Sequence, residues 1–198
     1  MERKARLREE VRSSILNAAW TIASEEGWHA LSMRRIAEAI DYTAPIIYGY
    51  FENKEAILME FTRRGFEMLT REVRAARDRF ADPAAQLEAM WLAYWDFAFS
   101  NQAYYQLMFG VEVDCCGMEK SSPEQGETAS ELIDDVLRAL IARSKDPGAD
   151  PCRRFYTFWA VVHGLISLNI VRKGTLSADW NRSILKDAIV AIIADTLG

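Results

Sequence analysis

The stretch SMRRIAEAIDYTAPIIYGYFENKE, from Ser32 to Glu55, decides the fold of the N-terminal part of the chain. Ser32 is a good N-cap for a helix that buries Ile36 and Ile40 on one side. An Asn-Lys pair then opens a third helix at residues 53–54. The spacing predicts two short helices joined by a tight turn, followed at once by a longer one.

The second short helix has its own start signals. Asp41 lies at the turn, and Asp tolerates a left-handed conformation better than most residues other than glycine. Thr43 can cap the helix, with Pro45 in its first turn, where a missing N–H costs nothing. Burial of Ile47 would turn the opposite side outward, with Ala44, Tyr48 and Gly49. The pattern predicts a helix-turn-helix over residues 32–51, whose second helix fits the DNA major groove.

The charge distribution favours the N-terminal part as the one that approaches phosphates. The chain has 198 residues, half of them apolar, and a net charge of −5, which fits one or two globular domains. Residues 1–80 hold 14 Lys/Arg against 13 Asp/Glu, whereas the remaining residues hold 10 against 16. A basic cluster at the start suits phosphate binding, although it also fits a solvated helix end: Arg3, Lys4, Arg6, Arg8 and Arg12.

Helical periodicity appears in nearly every segment and strand alternation in almost none. An apolar stripe from Val11 to Ile22 ends at Gly27, and a long helix capped by Asn53 runs to about Phe80. Further helices are expected over 83–99, 104–109, 128–141, 151–174 and 180–197. The fold class is therefore all-α with about nine helices. The expected domains are a DNA-binding head (1–54), a connecting helix (55–80) and a C-terminal domain (81–198).

Neither a membrane span nor a disulfide framework is expected. The charged N-terminus lacks the apolar region of a signal peptide. The apolar stretch Phe155–Val171 carries several polar residues and is short for a bilayer, so a buried helix is the better interpretation. Three cysteines (Cys115, Cys116 and Cys152) leave one unpaired and fit reduced thiols in a cytoplasmic protein.

Residues 10–70 resemble the TetR family of transcriptional repressors. The resemblance is carried by residues 36–39 (IAEA), 47–51 (IYGYF) and 53–55 (NKE). The stretch Trp159–Leu165, with His163-Gly164 inside it, is similar to the Trp/His-Gly helix of one C-terminal subgroup. The resemblance implies a recognition helix with phosphate-contacting neighbours. The expected DNA-binding residues are Arg34, Arg35, Thr43, Ala44, Pro45, Tyr48, Gly49, Tyr50 and Lys54.

Two departures from the family pattern affect these expectations. Asp41 stands where the family usually has a turn glycine, which should add some backbone strain. The outward side of the recognition helix also lacks Arg, Asn and Gln, the residues that make bidentate base contacts. Specificity would then come either from thymine-methyl contacts together with Arg34 or Arg35, or from DNA shape.

Aromatic residues are concentrated in the C-terminal part. A packed helical core explains any one of them, but together they suggest a largely apolar ligand cavity between the fifth, sixth and eighth helices. The candidate effector-binding residues are Trp91, Tyr94, Trp95, Tyr105, Met108, Phe109, Phe155, Trp159 and His163. For His163 alone, a hydrogen-bonded core position is the commoner role. No metal site or cofactor is expected.

The last two helices have apolar stripes broad enough to pack on the domain and leave a second face. In the family they form a dimer interface, and a two-fold dimer suits successive major grooves. The predicted function is a homodimeric repressor of a palindromic operator, released by an apolar or aromatic effector. The alternatives are a thiol-dependent enzyme or helical hydrolase using Cys115 or Cys116 with His163, and an interaction module without DNA binding.

Overall fold

We describe the protein from a computed structural model, covering residues 2–110, 127–172 and 177–198. These residues form nine α-helices and one 3-10 turn, with no strand among them. This confirms the all-α prediction. The helices are α1 (Glu2–Glu26), α2 (Met33–Ala39), α3 (Ala44–Tyr48), α4 (Lys54–Arg77), α5 (Pro83–Ser100), α6 (Gln102–Phe109), α7 (Ala129–Ile141), α8 (Pro151–Arg172) and α9 (Ala178–Leu197).

The chain divides into two compact units. The first contains the described residues of Met1–Gly65 and Ala103–Val113, and the second those of Phe66–Gln102 and Asp114–Gly198. The division passes through α4 and assigns most of α6 to the first unit. The domain boundaries expected at residues 54 and 80 stay a prediction.

A single apolar core holds the first unit together. It draws on α1, α2, α3, α4 and α6, and its fully buried members include Ile15, Ile36, Ile47, Ile57 and Phe61. Burying each of these large side chains contributes about 1.5–3 kcal/mol relative to leaving it exposed. The two short helices of the predicted helix-turn-helix, α2 and α3, therefore share one core with the long helices α1 and α4.

The helix starts in this unit follow local capping chemistry. The Ser32 hydroxyl accepts from the Arg35 N–H at 3.2 Å, and the Asn53 side chain accepts from the Ala56 N–H at 2.8 Å. Thr43 occupies the N-cap position of α3 with extended backbone, but its side chain makes no capping hydrogen bond. Pro45 lies in the first turn of α3, where its fixed φ suits the helix.

Two helix ends in this unit use backbone with positive φ. Gly27, at φ 89°, ends α1, and a 3-10 turn follows at Trp28–Ala30 that periodicity did not predict. Asp41, at φ 57°, is the non-glycine residue with positive φ in the described part of the chain. Next to it, the Tyr42 N–H donates to the Ala37 carbonyl at 2.9 Å and closes the turn. Within the described residues, the expected backbone strain thus falls on Asp41.

Aromatic side chains attach α6 to the first unit. Tyr104 stacks on Trp20 with centroids 4.5 Å apart, and both contact Phe61. The Trp28 indole N–H donates to the Ala103 carbonyl at 2.8 Å. The absence of a side chain at Gly65 lets α6 lie close to α4, because a Cβ there would overlap the sulfur of Met108. This contact set joins positions far apart in sequence.

Helix α5 is the centre of the second unit and contacts α7, α8 and α9. Its buried residues, which include Leu87, Trp91, Tyr94 and Phe97, share one broad side of the helix. Asp96 on the opposite side is exposed, so the helix expected to be buried all round is buried on one side only. Asp82 caps it, accepting from the Ala85 N–H at 3.2 Å.

The remaining helices pack around α5. Thr128 and Glu131 form the predicted capping box of α7. Helix α9 begins at Ala178 behind an unpredicted cap, Ser177, whose hydroxyl accepts from the Trp180 N–H at 3.2 Å. The predicted end of α8 near Gly174 lies outside the described residues. Within those residues, no helix combines the length and apolar character needed to cross a membrane.

The strained turn gives a stability prediction. Asp41→Gly should raise the free energy of unfolding by about 0.5 kcal/mol, because glycine adopts positive φ without a Cβ penalty. Asp41→Ala should lower it by about 1 kcal/mol, because alanine has neither that freedom nor a local acceptor. Urea unfolding of the three proteins at equal concentration measures both changes. Equal stability of the Gly and Ala variants would contradict the assignment of strain to this turn.

Candidate nucleic-acid interface and effector core

The outward side of α3 is exposed, as the sequence predicts. Ile47 is fully buried, whereas Tyr48 on the opposite side is 55% exposed. Three further predicted residues at this helix are also exposed: Thr43, Pro45 and Gly49. Ala44 is half-buried and packs against the core. Helix α3 therefore presents a short, weakly polar surface with a tyrosine hydroxyl at its C-terminal end.

Two apolar side chains at this surface were missed by the sequence reasoning. Ile46 is 41% exposed and Tyr42 is 42% exposed. No signal in the sequence separates Ile46 from Ile47, because adjacent apolar residues of a helix can share one core, as Ile15 and Leu16 do here. An exposed isoleucine beside Tyr48 is suited to contact a thymine methyl group.

Arginines from α1 cover the aromatic pair that follows α3. The Arg8 guanidinium lies 5.8 Å from the ring centroid of Tyr50, and that of Arg12 lies 5.2 Å from the ring centroid of Phe51. Phe51 is buried, and its N–H donates to the Ile47 carbonyl at 3.0 Å. Tyr50 is half-buried and packs against the core. The end of α3 is thus held between the core and α1.

Arg12 also joins α1 to α4 through Glu60. Its guanidinium lies 3.3 Å from the Glu60 carboxylate, which accepts hydrogen bonds from Arg63 at 3.1 Å and Arg64 at 2.9 Å. Burial alone would raise the pKa of Glu60, but the hydrogen bonds from Arg63 and Arg64 bring the pKa below its ordinary value. Arg12 therefore contacts both Glu60 on α4 and Phe51, which follows α3.

The two predicted arginines of α2 have different surroundings. Arg34 is 85% exposed and donates to Glu38 at 2.7 Å, a pair on one helix face that contributes little stability. Arg35 directs its guanidinium at both carboxylate oxygens of Glu26 and at the Ala30 carbonyl. The hydrogen bond from Arg35 lowers the pKa of Glu26. Arg35 thus fastens the start of α2 to the end of α1, while Arg34 can turn to a phosphate at small cost.

Lys54 is the first residue of α4, directly after the Asn53 cap. The backbone N–H groups of a helix N-terminus and a lysine at the same place both attract anions. The structure therefore places the predicted phosphate-contacting residue Lys54 where it has the support of a helix dipole.

The predicted effector residues fall in both compact units. Trp91, Tyr94, Trp95, Phe155, Trp159 and His163 belong to the second unit, whereas Tyr105, Met108 and Phe109 on α6 belong to the first. Tyr105 contacts Phe109 with ring centroids 5.0 Å apart, and burial raises the pKa of Tyr105. The set predicted from sequence thus draws on both compact units.

In the second unit the group is joined by ring contacts between α5 and α8. Trp91 stacks on Phe158 with ring centroids 5.7 Å apart, and the Trp159 and His163 ring centroids are 4.1 Å apart. The Tyr94 hydroxyl and His163 Nε2 are 2.6 Å apart and share a hydrogen bond. Burial lowers the pKa of His163 to about 4, so the imidazole is neutral at pH 7. His163 occupies the hydrogen-bonded core position expected of a lone histidine.

The described residues include one of the three cysteines. No group of three or more His, Cys, Asp or Glu side chains among them is arranged to hold a metal ion. Cys152 is an exposed free thiol. Cys115 and Cys116, the residues of the thiol-enzyme alternative, lie outside the described residues.

Comparison with known families identifies the chain. Residues 15–61 match the family described as bacterial regulatory proteins, tetR family, and residues 87–190 match the tetracyclin repressor-like C-terminal domain. The second match alone covers more than half of the chain. The protein belongs to the TetR family and is a DNA-binding transcriptional regulator, not an enzyme.

Individual relatives agree with this assignment. The transcriptional activator FasR of Mycolicibacterium smegmatis is 27% identical over 163 residues, which cover 82% of this chain and 70% of FasR. The transcriptional repressor KstR of the same organism is 38% identical over 60 residues, 30% of this chain and 29% of KstR. Among solved structures, the TetR-family regulator PfmR of Thermus thermophilus superposes with a TM-score of 0.64 at 19% identity, over 91% of this chain and 97% of PfmR.

The buried histidine gives a pH prediction. In the unfolded chain His163 titrates near 6.5, and in the fold near 4, so below pH 6.5 the unfolded state takes up the proton first. Stability from this group is therefore complete above about pH 7.5 and should fall by about 2 kcal/mol by pH 5. His163→Gln keeps a hydrogen-bonding group near Tyr94 and removes the titration. Urea unfolding at pH 8 and pH 5 should show a smaller loss for the variant, and equal losses would contradict the assignment.

Proposed function

We propose that this regulator binds a palindromic operator as a homodimer and is released from it by a small, largely apolar effector. The observation that carries the proposal is the exposed side of α3, which is held rigidly by the core while Tyr48 and Ile46 face outward. A single short helix reads only a few base pairs, so two copies on successive major grooves are needed for specific binding.

On the DNA, Lys54, Tyr48 and Tyr50 are the residues proposed to contact backbone phosphate, and Arg34 can join them. Thr43, Ala44, Pro45, Ile46 and Gly49 are proposed to face the base edges. Because these side chains offer few hydrogen bonds, thymine methyl groups and DNA shape would supply much of the specificity. We propose a positioning role for Arg35, since Glu26 and the Ala30 carbonyl already occupy its guanidinium.

The dimer is proposed to form through α8 and α9. Tyr156 and Leu168 on α8, and Trp180 and Val190 on α9, are large apolar side chains about half exposed. Monomeric proteins rarely expose such patches. Gly164 lies on the same side of α8 as Tyr156 and Leu168, by helical spacing, and a Cβ there would meet no atom of its own chain within 4 Å. A second copy of this chain can therefore approach the α8 backbone closely.

We propose that the protein represses transcription, because its KstR relatives are named repressors, although FasR is named an activator. Release requires only that the effector prefers the conformation that does not bind DNA. A complete switch needs roughly a 10⁴-fold difference in effector affinity between the two conformations. Such a regulator would act in the cytoplasm, where the chromosome is.

The DNA interface can be tested by the salt dependence of binding. Fluorescence anisotropy on a duplex from the region upstream of the protein's own gene, at several salt concentrations, gives the slope of log K against log salt. Lys54→Ala should weaken binding and reduce the slope by about 1 per subunit, because each phosphate contact releases about one counterion. Tyr48→Ala should weaken binding as well, with a smaller change of slope.

Two control variants separate contact from positioning. Arg138→Ala removes a cation from α7 in the second unit and should leave both affinity and slope unchanged. Arg12→Gln should weaken binding about tenfold with the slope retained, since Arg12 orients the end of α3 without contacting phosphate. An unchanged slope in Lys54→Ala, or no binding of a folded dimer to any duplex, would refute the proposed interface.

The dimer surface has its own test. Gly164→Leu improves helix propensity and meets open space in its own chain, so the subunit should remain folded. In the dimer the new side chain should collide with the partner, and light scattering should then report the 22.6 kDa subunit instead of twice that mass. Val190→Glu should act in the same direction, while Met59→Glu, an equally exposed apolar position in the first unit, should not. Gly164→Leu dimers of unchanged affinity would contradict this interface.

A further inference from the structure

The aromatic core of the second unit contains a hydrogen-bond donor without an acceptor. Trp91 is 0% exposed, and its indole Nε1 has no hydrogen-bond partner among the described residues. Nearly all buried donors in proteins are paired, and leaving one unpaired costs about 1–3 kcal/mol. An apolar side chain of similar size would fill the same place without that cost.

The neighbours of Trp91 explain why its N–H is unsatisfied. The indole stacks on Phe158, with ring centroids 5.7 Å apart and an angle of 13° between the ring planes. It also makes tilted ring contacts with Phe155 and Tyr94, at centroid distances of 5.9 Å and 5.7 Å. The phenylalanine rings have no lone pairs to accept a hydrogen bond. The Tyr94 hydroxyl is bonded to His163 Nε2. No described residue therefore accepts from Trp91, and a ligand can bring the missing acceptor.

The polar groups of this cluster are uncharged. Besides Trp91, they are the Tyr94 hydroxyl and the His163 imidazole, which is neutral at pH 7 because burial lowers its pKa to about 4. A carboxylate or phosphate placed among these rings would lose its hydration without gaining a cation. An uncharged acceptor, such as a ketone, ester or amide carbonyl, loses far less.

The outer side of the cluster is accessible. Phe155, Trp159 and His163 follow one another at intervals of four residues on α8, and all three are only partly buried. Trp159 lies against His163 at 4.1 Å, and Phe155 lies against Trp91. The two outer aromatic rings thus keep exposed surface beside the buried donor, on the side from which a ligand would approach it.

We propose that α5 and α8 bind between them an uncharged, mainly apolar molecule whose carbonyl-type acceptor takes the Trp91 indole hydrogen bond. The proposal rests on the effector-responsive function given above and names the chemical class of that effector. The apolar body stacks on Phe155 and Trp159. The acceptor reaches Trp91, with the Tyr94–His163 pair beside it as a second polar contact.

Three naphthalenes of similar size test this class: 2-acetylnaphthalene (uncharged acceptor), 2-naphthoate (anion) and 2-ethylnaphthalene (no acceptor). Titrating each into the ¹⁵N-labelled full-length protein follows the six tryptophan indole N–H resonances. Trp91→Phe identifies the Trp91 resonance, and if that variant does not fold, Trp→Phe variants of the other five identify it by elimination. Only 2-acetylnaphthalene should move this resonance to lower field, the direction of a newly formed hydrogen bond.

The affinities must agree with the resonance shifts. 2-Acetylnaphthalene should bind about tenfold more tightly than 2-ethylnaphthalene, the effect of one buried hydrogen bond, and also more tightly than 2-naphthoate. Equal affinities for the ketone and the hydrocarbon would overturn the donor role of Trp91. Tighter binding of 2-naphthoate would overturn the uncharged class, and no shift with any of the three would overturn the site itself. DNA binding without a probe is measured separately, so failure here leaves the operator proposal standing.

Discussion

The position of α3 depends on the burial of one side chain. A helix of five residues is not stable by itself, because its nucleation cost exceeds the gain from so few hydrogen bonds. Ile47 anchors it in the core shared by α1, α2 and α4, and the Phe51 N–H continues its hydrogen bonding by donating to Ile47. The orientation of Tyr48 and Ile46 is therefore a property of the whole first unit. Any change that loosens that core displaces the surface proposed to contact DNA.

Carboxylates of the first unit occupy many of its arginines. Arg12, Arg63 and Arg64 surround Glu60, Arg35 faces Glu26, and Arg34 pairs with Glu38. Two of these pairs, Arg12–Glu60 and Arg35–Glu26, join different helices, and all of them reduce the positive charge available to phosphate. A protein built this way gains less from nonspecific attraction to DNA. The weakly polar α3 surface fits this balance, because its proposed contacts with DNA depend on shape and on methyl groups.

The sequence predicted those features that are fixed by neighbouring residues. The caps at Ser32, Asn53, Asp82 and Thr128 are of this kind, since each cap side chain accepts from the backbone N–H three residues later. Features set by distant residues were missed. The attachment of α6 to the first unit depends on Tyr104 meeting Trp20 and on Trp28 bonding to Ala103, 75 positions away. Periodicity within a segment carries no information about such contacts.

The aromatic residues of the second unit show where sequence reasoning and structure complement each other. Composition alone could not separate a packed core from a binding site, because both use the same side chains. The structure adds a criterion that composition lacks: whether each polar atom is satisfied. Phe158 and Leu87 fit a packed core in every respect, since their side chains are fully buried and purely apolar. Trp91 does not, because its donor destabilises the core that encloses it. Local departures from the rules of stable packing tend to mark functional sites, and this one lies next to the polar pair formed by Tyr94 and His163.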